Sequence, residues 1–239
     1  MRFLFLILAV LGCLFLNSCI DVREEIWIER DGSGRAILEY VIPSSALELA
    51  GGEEGLRAEA QRIIDSLPDL HLDEFTVTPA NGDSTITLKA STNSMLSLLD
   101  AGDNEVLKNL PKTTTGFAGA FDVKLDGLVV DFKREINLKE ALGFASLAIS
   151  SSQRQKRSLH YIIHLPAEAS THNATETENG GQTLIWKYPL SEALTSPIST
   201  DFRVRIPVPW WVFAGAGLLV AFFLWVLVKI WKRRRRRTS

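Results

Sequence analysis

The side chains of this 239-residue chain that could do chemistry are few and scattered. Its four histidines, His71, His160, His164 and His172, are joined by no Cys and by no His-x-x-x-His helix pattern, so the clustered donors of a zinc site are missing. His160 and His164 stand four apart, a spacing that aligns side chains on a helix, but the intervening Tyr161-Ile162-Ile163 favours a strand. No Gly-x-Ser-x-Gly elbow, Ser-x-x-Lys pair, His-Glu-x-x-His helix or phosphate-cradling loop occurs. Of two glycine-rich stretches, Gly116-Phe117-Ala118-Gly119 and Asp31-Gly32-Ser33-Gly34, the second lies between two strand-like runs and reads as a turn. The acidic pairs Glu24-Glu25, Glu53-Glu54 and Asp73-Glu74 read as solvated faces, and Trp27 and Trp186, each in a strand-like segment, as core aromatics. The chain is therefore expected to be no enzyme, with no catalytic residue, metal ligand or cofactor.

The chemistry that is expected is a modification. Met1 and Arg2 precede an unbroken apolar stretch from Phe3 to Leu16, too short to span a bilayer and shaped as an export signal. That signal ends in Leu16-Asn17-Ser18-Cys19, which resembles the lipobox of bacterial lipoproteins. The resemblance implies transfer of a lipid to the Cys19 thiol and cleavage after Ser18, making residues 1–18 a lipoprotein signal peptide. Val10-Leu11-Gly12-Cys13 also satisfies the box, so Cys13 is the alternative site. With Cys13 removed and Cys19 acylated, the mature chain has no thiol left for a disulfide.

At the other end Trp210 to Val228 is continuously apolar, flanked by Trp residues and followed by Lys229, Lys232 and Arg233 to Arg237. Length and flanks predict a transmembrane helix over 208–230, and the positive-inside rule puts a basic tail, 231–239, in the cytoplasm. Residues 19–207 would then form an extracytoplasmic region tethered to one bacterial cytoplasmic membrane by a lipid and a single span. Between Ile20 and Pro207 lie all 28 acidic but only 18 of the 26 basic residues, a net charge of −10. Such a surface repels nucleic acid and anionic lipid.

Within this region, Val22–Glu29 and Arg35–Ile42 alternate as strands around Asp31-Gly32-Ser33-Gly34. Ser45 to Glu48 fits a capping box, and Glu53–Leu67 carries apolar residues at helical spacing before Pro68. A second hairpin is predicted from Leu72–Thr78 and Ser84–Ala90 around the loop Pro79 to Asp83, then a short helix Met95–Ala101. Phe121–Leu125 and Leu128–Phe132 form a third hairpin at Asp126-Gly127. Leu159–Leu165, Thr183–Tyr188 and Phe202–Ile206 are further strands, with Pro166 to Gln182 polar and irregular. The expectation is an α+β domain of antiparallel hairpins with packed helices, with a second subdomain boundary, if there is one, near 150–157.

Taken together, these segments resemble LppM-type bacterial lipoproteins. The features that match are Cys19 followed by a strand, Asp31-Gly32-Ser33-Gly34, the strand ending at Ile42-Pro43, Leu165-Pro166, Asn173, Gly180 to Trp186, and the apolar C-terminal segment with its basic residues. The resemblance implies a membrane-tethered α+β domain with no assigned enzymatic activity and an envelope or lipid-related binding role. Two functions fit: a non-catalytic envelope module that binds a lipid-like ligand or a partner protein, and an accessory subunit of a larger membrane complex.

Overall fold

The computed structural model describes residues 21–49, 51–67, 69–95, 97–98, 119–142, 154–155 and 157–207. The hairpin signals fold as expected. Strands β1 (Asp21–Ile28) and β2 (Gly34–Pro43) pair antiparallel, and the turn between them closes with Gly32 at φ 89° and the Asp31 carboxylate accepting from the Ser33 amide at 3.0 Å. Strands β3 (Leu70–Ala80) and β4 (Asp83–Thr92) run further toward each other than the sequence suggested. Asn81 and Gly82 alone make the turn, both at positive φ (53° and 87°), the conformation whose twist matches a tight hairpin. Strands β5 (Ala120–Asp126) and β6 (Val129–Ile136) meet at Asp126-Gly127 as predicted.

Five more segments complete two sheets: β7 (Ser158–His164), β8 (Ala169–His172), β9 (Glu176–Glu178), β10 (Thr183–Pro189) and β11 (Ile198–Arg205). The large sheet has the order β3-β4-β2-β1-β7-β10-β9, with β7 parallel to β1 and the other pairs antiparallel. Strand β7 thus continues the first hairpin's sheet although Ser150 to Arg157 separates it in sequence. The small sheet has the order β5-β6-β11-β8.

One face of the large sheet is buried. Register places Val22 and Glu24 of β1 beside Leu159 and Tyr161 of β7 and these beside Tyr188 and Trp186 of β10, while the inward side of the small sheet offers Ile136, Phe202 and Val204. At the β3 end the same face is covered by helix α2 (Gly52–Asp65), which follows the short α1 (Ser44–Leu49). Arg57 of α2 lies 5.0 Å over the Phe75 ring and donates to the Phe75 carbonyl at 2.8 Å. Two single-turn helices, α3 (Leu138–Leu142) and α4 (Leu190–Ala193), follow β6 and β10, and Leu138, Leu190 and Ala193 join the core. Trp186 is wholly buried, and its indole N–H donates to Asn173 Oδ1 at 2.6 Å, which also accepts from the Asp201 amide at 2.9 Å.

This corrects two expectations. The domain is mostly β, two sheets face to face, rather than α+β with packed helices; β8 and β9 escaped notice because their exposed, polar edge positions carry no apolar alternation, and the first half of β11, an interior strand, because Thr200 stands at a buried position where an apolar residue would mark the alternation. No helix among the described residues is long and apolar enough to cross a membrane, so the structure does not support a single-span protein with a cytoplasmic C-terminus. The segment 208–230, the tail 231–239, Cys13 and Cys19 lie outside the described residues, as does most of the predicted Met95–Ala101 helix.

Candidate functional site

Alternation along β1 turns Val22 and Glu24 inward and Arg23, Glu25 and Trp27 onto the opposite face. Trp27 is therefore not the core residue expected of it, unlike Trp186. In register it stands between Arg35 of β2 and His164 of β7. The Arg35 guanidinium carbon is 4.5 Å from the indole centroid, and the His164 ring stacks at 4.9 Å with an interplanar angle of 10°. Both ring faces are occupied, leaving the indole edge for contact.

His164 is held in turn from two sides. Its Nε2 lies 2.9 Å from Glu25 Oε1 and its Nδ1 3.1 Å from Thr183 Oγ1, while Asn179 Nδ2 donates to that same hydroxyl at 3.0 Å. Each imidazole nitrogen therefore faces an oxygen, Nδ1 a hydroxyl and Nε2 a carboxylate, which fixes the plane of the ring. Burial pushes the Glu25 carboxyl up, but hydrogen bonds from Arg23 and His164 outweigh it and hold the carboxyl below the usual glutamate range.

A hydroxyl, an imidazole and a carboxylate in line have the geometry of a nucleophile, a base and its orienting acid. The surroundings oppose that use. Thr183 is 2% exposed, so its oxygen reaches no substrate, and the chain of bonds serves to orient His164.

Beside this cluster opens a cavity of about 540 Å³, at the end of the large sheet where the β1–β2 turn and the segment after β7 approach each other. Trp27, Ile28, Leu165 and Pro166 give it an apolar wall; Glu29, Arg30, Asp31, His164 and Gln182 give it a polar rim. Its size is within the range of small-molecule sites, and the mixed lining suits a ligand with an apolar body and a polar end. Sequence reasoning missed it because Trp27 and His164 are 137 positions apart and meet only through the parallel β1–β7 pairing.

A second polar cluster lies between the sheets. Arg134 of β6 donates to Glu24 of β1 at 2.5 and 3.2 Å, Tyr40 donates to the same carboxylate at 2.8 Å, and the guanidinium lies 5.1 Å over Tyr161. Glu24 and Arg134 side chains are 5% and 8% exposed. Burial alone would lower the arginine, yet Glu24 raises it, and burial raises the Tyr40 and Tyr161 hydroxyls, so the cluster holds one fixed ion pair. It fastens one sheet to the other.

The remaining histidines are dispersed: His71 on β3, His160 on β7 with its Nε2 2.9 Å from Ser158 Oγ, and His172 on β8. Among the described residues no group of three His, Cys, Asp or Glu is arranged to hold a metal ion. Asn173, one of the residues that carried the LppM-type resemblance, supports the core tryptophan.

No family model matches the sequence and no curated protein matches it. The NMR structure of the folded domain of LppM from Mycobacterium tuberculosis is similar, with a TM-score of 0.50 and 12% identity over 80% of this chain and 92% of that one. The LppM-type resemblance therefore holds at the level of the fold.

Proposed function

We propose that this chain is a non-catalytic lipoprotein of the bacterial envelope, anchored by an acyl group on Cys19, whose cavity beside Trp27 receives a lipid-like, amphipathic ligand. The observation that carries the binding half is the cavity of about 540 Å³ with an apolar wall and a polar rim. Arg30 offers charge-assisted donation to an anionic or hydroxylated head, while Ile28, Leu165 and Pro166 take the apolar part. The envelope half is supported by the export signal ending at Cys19 and by the fold shared with the LppM domain. The reading is non-catalytic because the hydroxyl in line with His164, that of Thr183, is buried at 2% exposure.

Native mass spectrometry of the mature protein, purified in mild detergent and then exposed to a panel of phospholipids and glycolipids, tests it. The expected result is a bound amphiphile whose occupancy falls at least tenfold in Trp27→Ala and in Gln182→Ala. A protein that stays empty against the whole panel, or occupancy unchanged in a folded Trp27→Ala, overturns the ligand reading. A stoichiometric protein that co-purifies while the cavity stays empty favours the accessory-subunit alternative.

A further inference from the structure

Among the described residues strand β5 is an edge of the small sheet. Opposite β6, Phe121, Val123 and Leu125 share a face with Arg134, Phe132 and Val130, the inward face of the sheet; Asp122, Lys124 and Asp126 take the other. Six of its seven residues are exposed. Phe121 is 58% and Leu125 49% exposed; with Leu128 at 40% these are the exposed large hydrophobics among the described residues, all on the β5–β6 hairpin. An apolar row on an unpaired edge is a template for another strand, and natural edges are ordinarily blunted by inward charges, proline or a bulge. Strand β5 has none of these within its apolar row.

We infer that β5 is a homodimer interface, pairing antiparallel with β5 of a second copy about a two-fold axis through Val123 to join the small sheets into one of eight strands. The sequence is self-complementary in that register and in no neighbouring one. With Val123 opposite itself, Asp122 faces the second copy's Lys124 and Lys124 its Asp122, while Phe121 meets Leu125 on the apolar side. Moving the axis to Asp122 or to Lys124 sets like charges against each other, and a one-residue slip puts the apolar row of one copy beside the charged row of the other. Within one chain Lys124 Nζ already pairs with Asp122 at 2.9 Å, but both side chains are more than half exposed, so that bond is readily exchanged for two across the axis. Opposed residues of an antiparallel pair have Cα atoms about 4.5–5.5 Å apart, so the axis position makes a cysteine at 123 meet its own copy at disulfide distance.

The test uses the full chain in mild detergent and in membranes, with the unsubstituted chain as the background for its native cysteines. Val123→Cys should form a covalent dimer under mild oxidation, and analytical ultracentrifugation should show a dimer of the unsubstituted protein. Lys124→Asp or Asp122→Lys alone should weaken association about tenfold or more, because two opposed pairs become repulsive. Mixing the two single variants should restore it as a heterodimer, since the acidic pair of one copy then faces the basic pair of the other while the pairing of β5 with β6 in each chain is no different from that in the variant alone. A protein that stays monomeric with no Val123→Cys dimer, single reversals that leave association unchanged, a mixture of the two single variants that fails to associate, or cross-links only to lipid or another protein would each overturn the inference.

Discussion

Removing the cation from the pair between the sheets tests the packing account directly. Arg134→Met deletes the guanidinium but keeps most of the side chain's length, leaving the Glu24 carboxylate 5% exposed and bonded to the Tyr40 hydroxyl. Breaking one side of a buried ion pair costs about 3–5 kcal/mol, a large part of the roughly 5–15 kcal/mol that holds a domain together. With a urea dependence of about 2 kcal/mol per molar, the unfolding midpoint of residues 20–207 should fall by about 2 M. Replacing the whole cluster is different. In Glu24→Leu with Arg134→Met and Tyr40→Phe the ion pair and the hydroxyl bonded to it are removed together, and the midpoint should return to within about 0.5 M of the parent or rise above it, since apolar replacements of buried pairs are neutral or stabilising by about 1–4 kcal/mol. Equilibrium urea unfolding followed by far-ultraviolet circular dichroism measures both. A single substitution costing less than about 1 kcal/mol, or a triple variant no better than the single, would refute the claim that Glu24 is a desolvated charge held by Arg134.

Three further expectations follow from individual groups. Asn173→Ala strands the Trp186 indole N–H and the Asp201 amide at once, so thermal melting should report a loss of about 2–4 kcal/mol, more than an exposed asparagine elsewhere would give. Because the Glu25 carboxyl is held below the glutamate range, its stabilising contribution is present at neutral pH and is lost as pH falls through the depressed value; Glu25→Gln should flatten the acid limb of a stability-against-pH curve, and a limb unchanged by the substitution would remove His164 and Arg23 as its partners. Cys19→Ala should abolish acyl labelling and leave the precursor uncleaved, whereas labelling lost only in Cys13→Ala would move the anchor.

What could be read from the sequence was local. Asp31-Gly32-Ser33-Gly34 and Asp126-Gly127 marked their turns because glycine reaches positive φ without cost, and the apolar spacing of Leu56, Ile63 and Ile64 marked α2. Asn81-Gly82 was also legible as a tight turn, but the flanking proline and alanine widened the expected loop to five residues. Strands β8 and β9 were not, since short exposed edges need no alternation. The site escaped for another reason. Trp27 has the look of a core aromatic, and what decides its face is the inward placement of Glu24, a charged residue on the buried side because Arg134, 110 positions later, waits there for it. Periodicity cannot announce a buried charge whose partner comes from another sheet.

The course of the strands also bears on how an anchored molecule would present its cavity. Strand β1 starts at Asp21, two residues after Cys19, at the end of the domain where the Arg157 guanidinium bonds the Asp21 carboxylate and the Leu190 amide bonds the Arg157 carbonyl. It is eight residues long and finishes beside the cavity. Strand β11 runs the same way: Tyr188 bonds the Ser199 carbonyl at the Asp21 end, and the Ile206 amide bonds the Leu128 carbonyl at the other. The chain therefore enters the domain at one end and leaves it at the opposite one, about 26 Å away at 3.3 Å per strand residue. An acyl group on Cys19 would hold the Asp21 end against the lipid and turn the cavity toward the envelope space, where a ligand or its donor can approach. A fluorophore at Ser191, next to the Asp21 end, should accordingly be quenched by headgroup-labelled lipid in vesicles carrying the acylated protein, and one at Arg30, on the cavity rim, should not. Equal quenching at both positions would mean that the domain lies along the membrane, and quenching at Arg30 alone would show that the N-terminal end is not the one at the lipid surface.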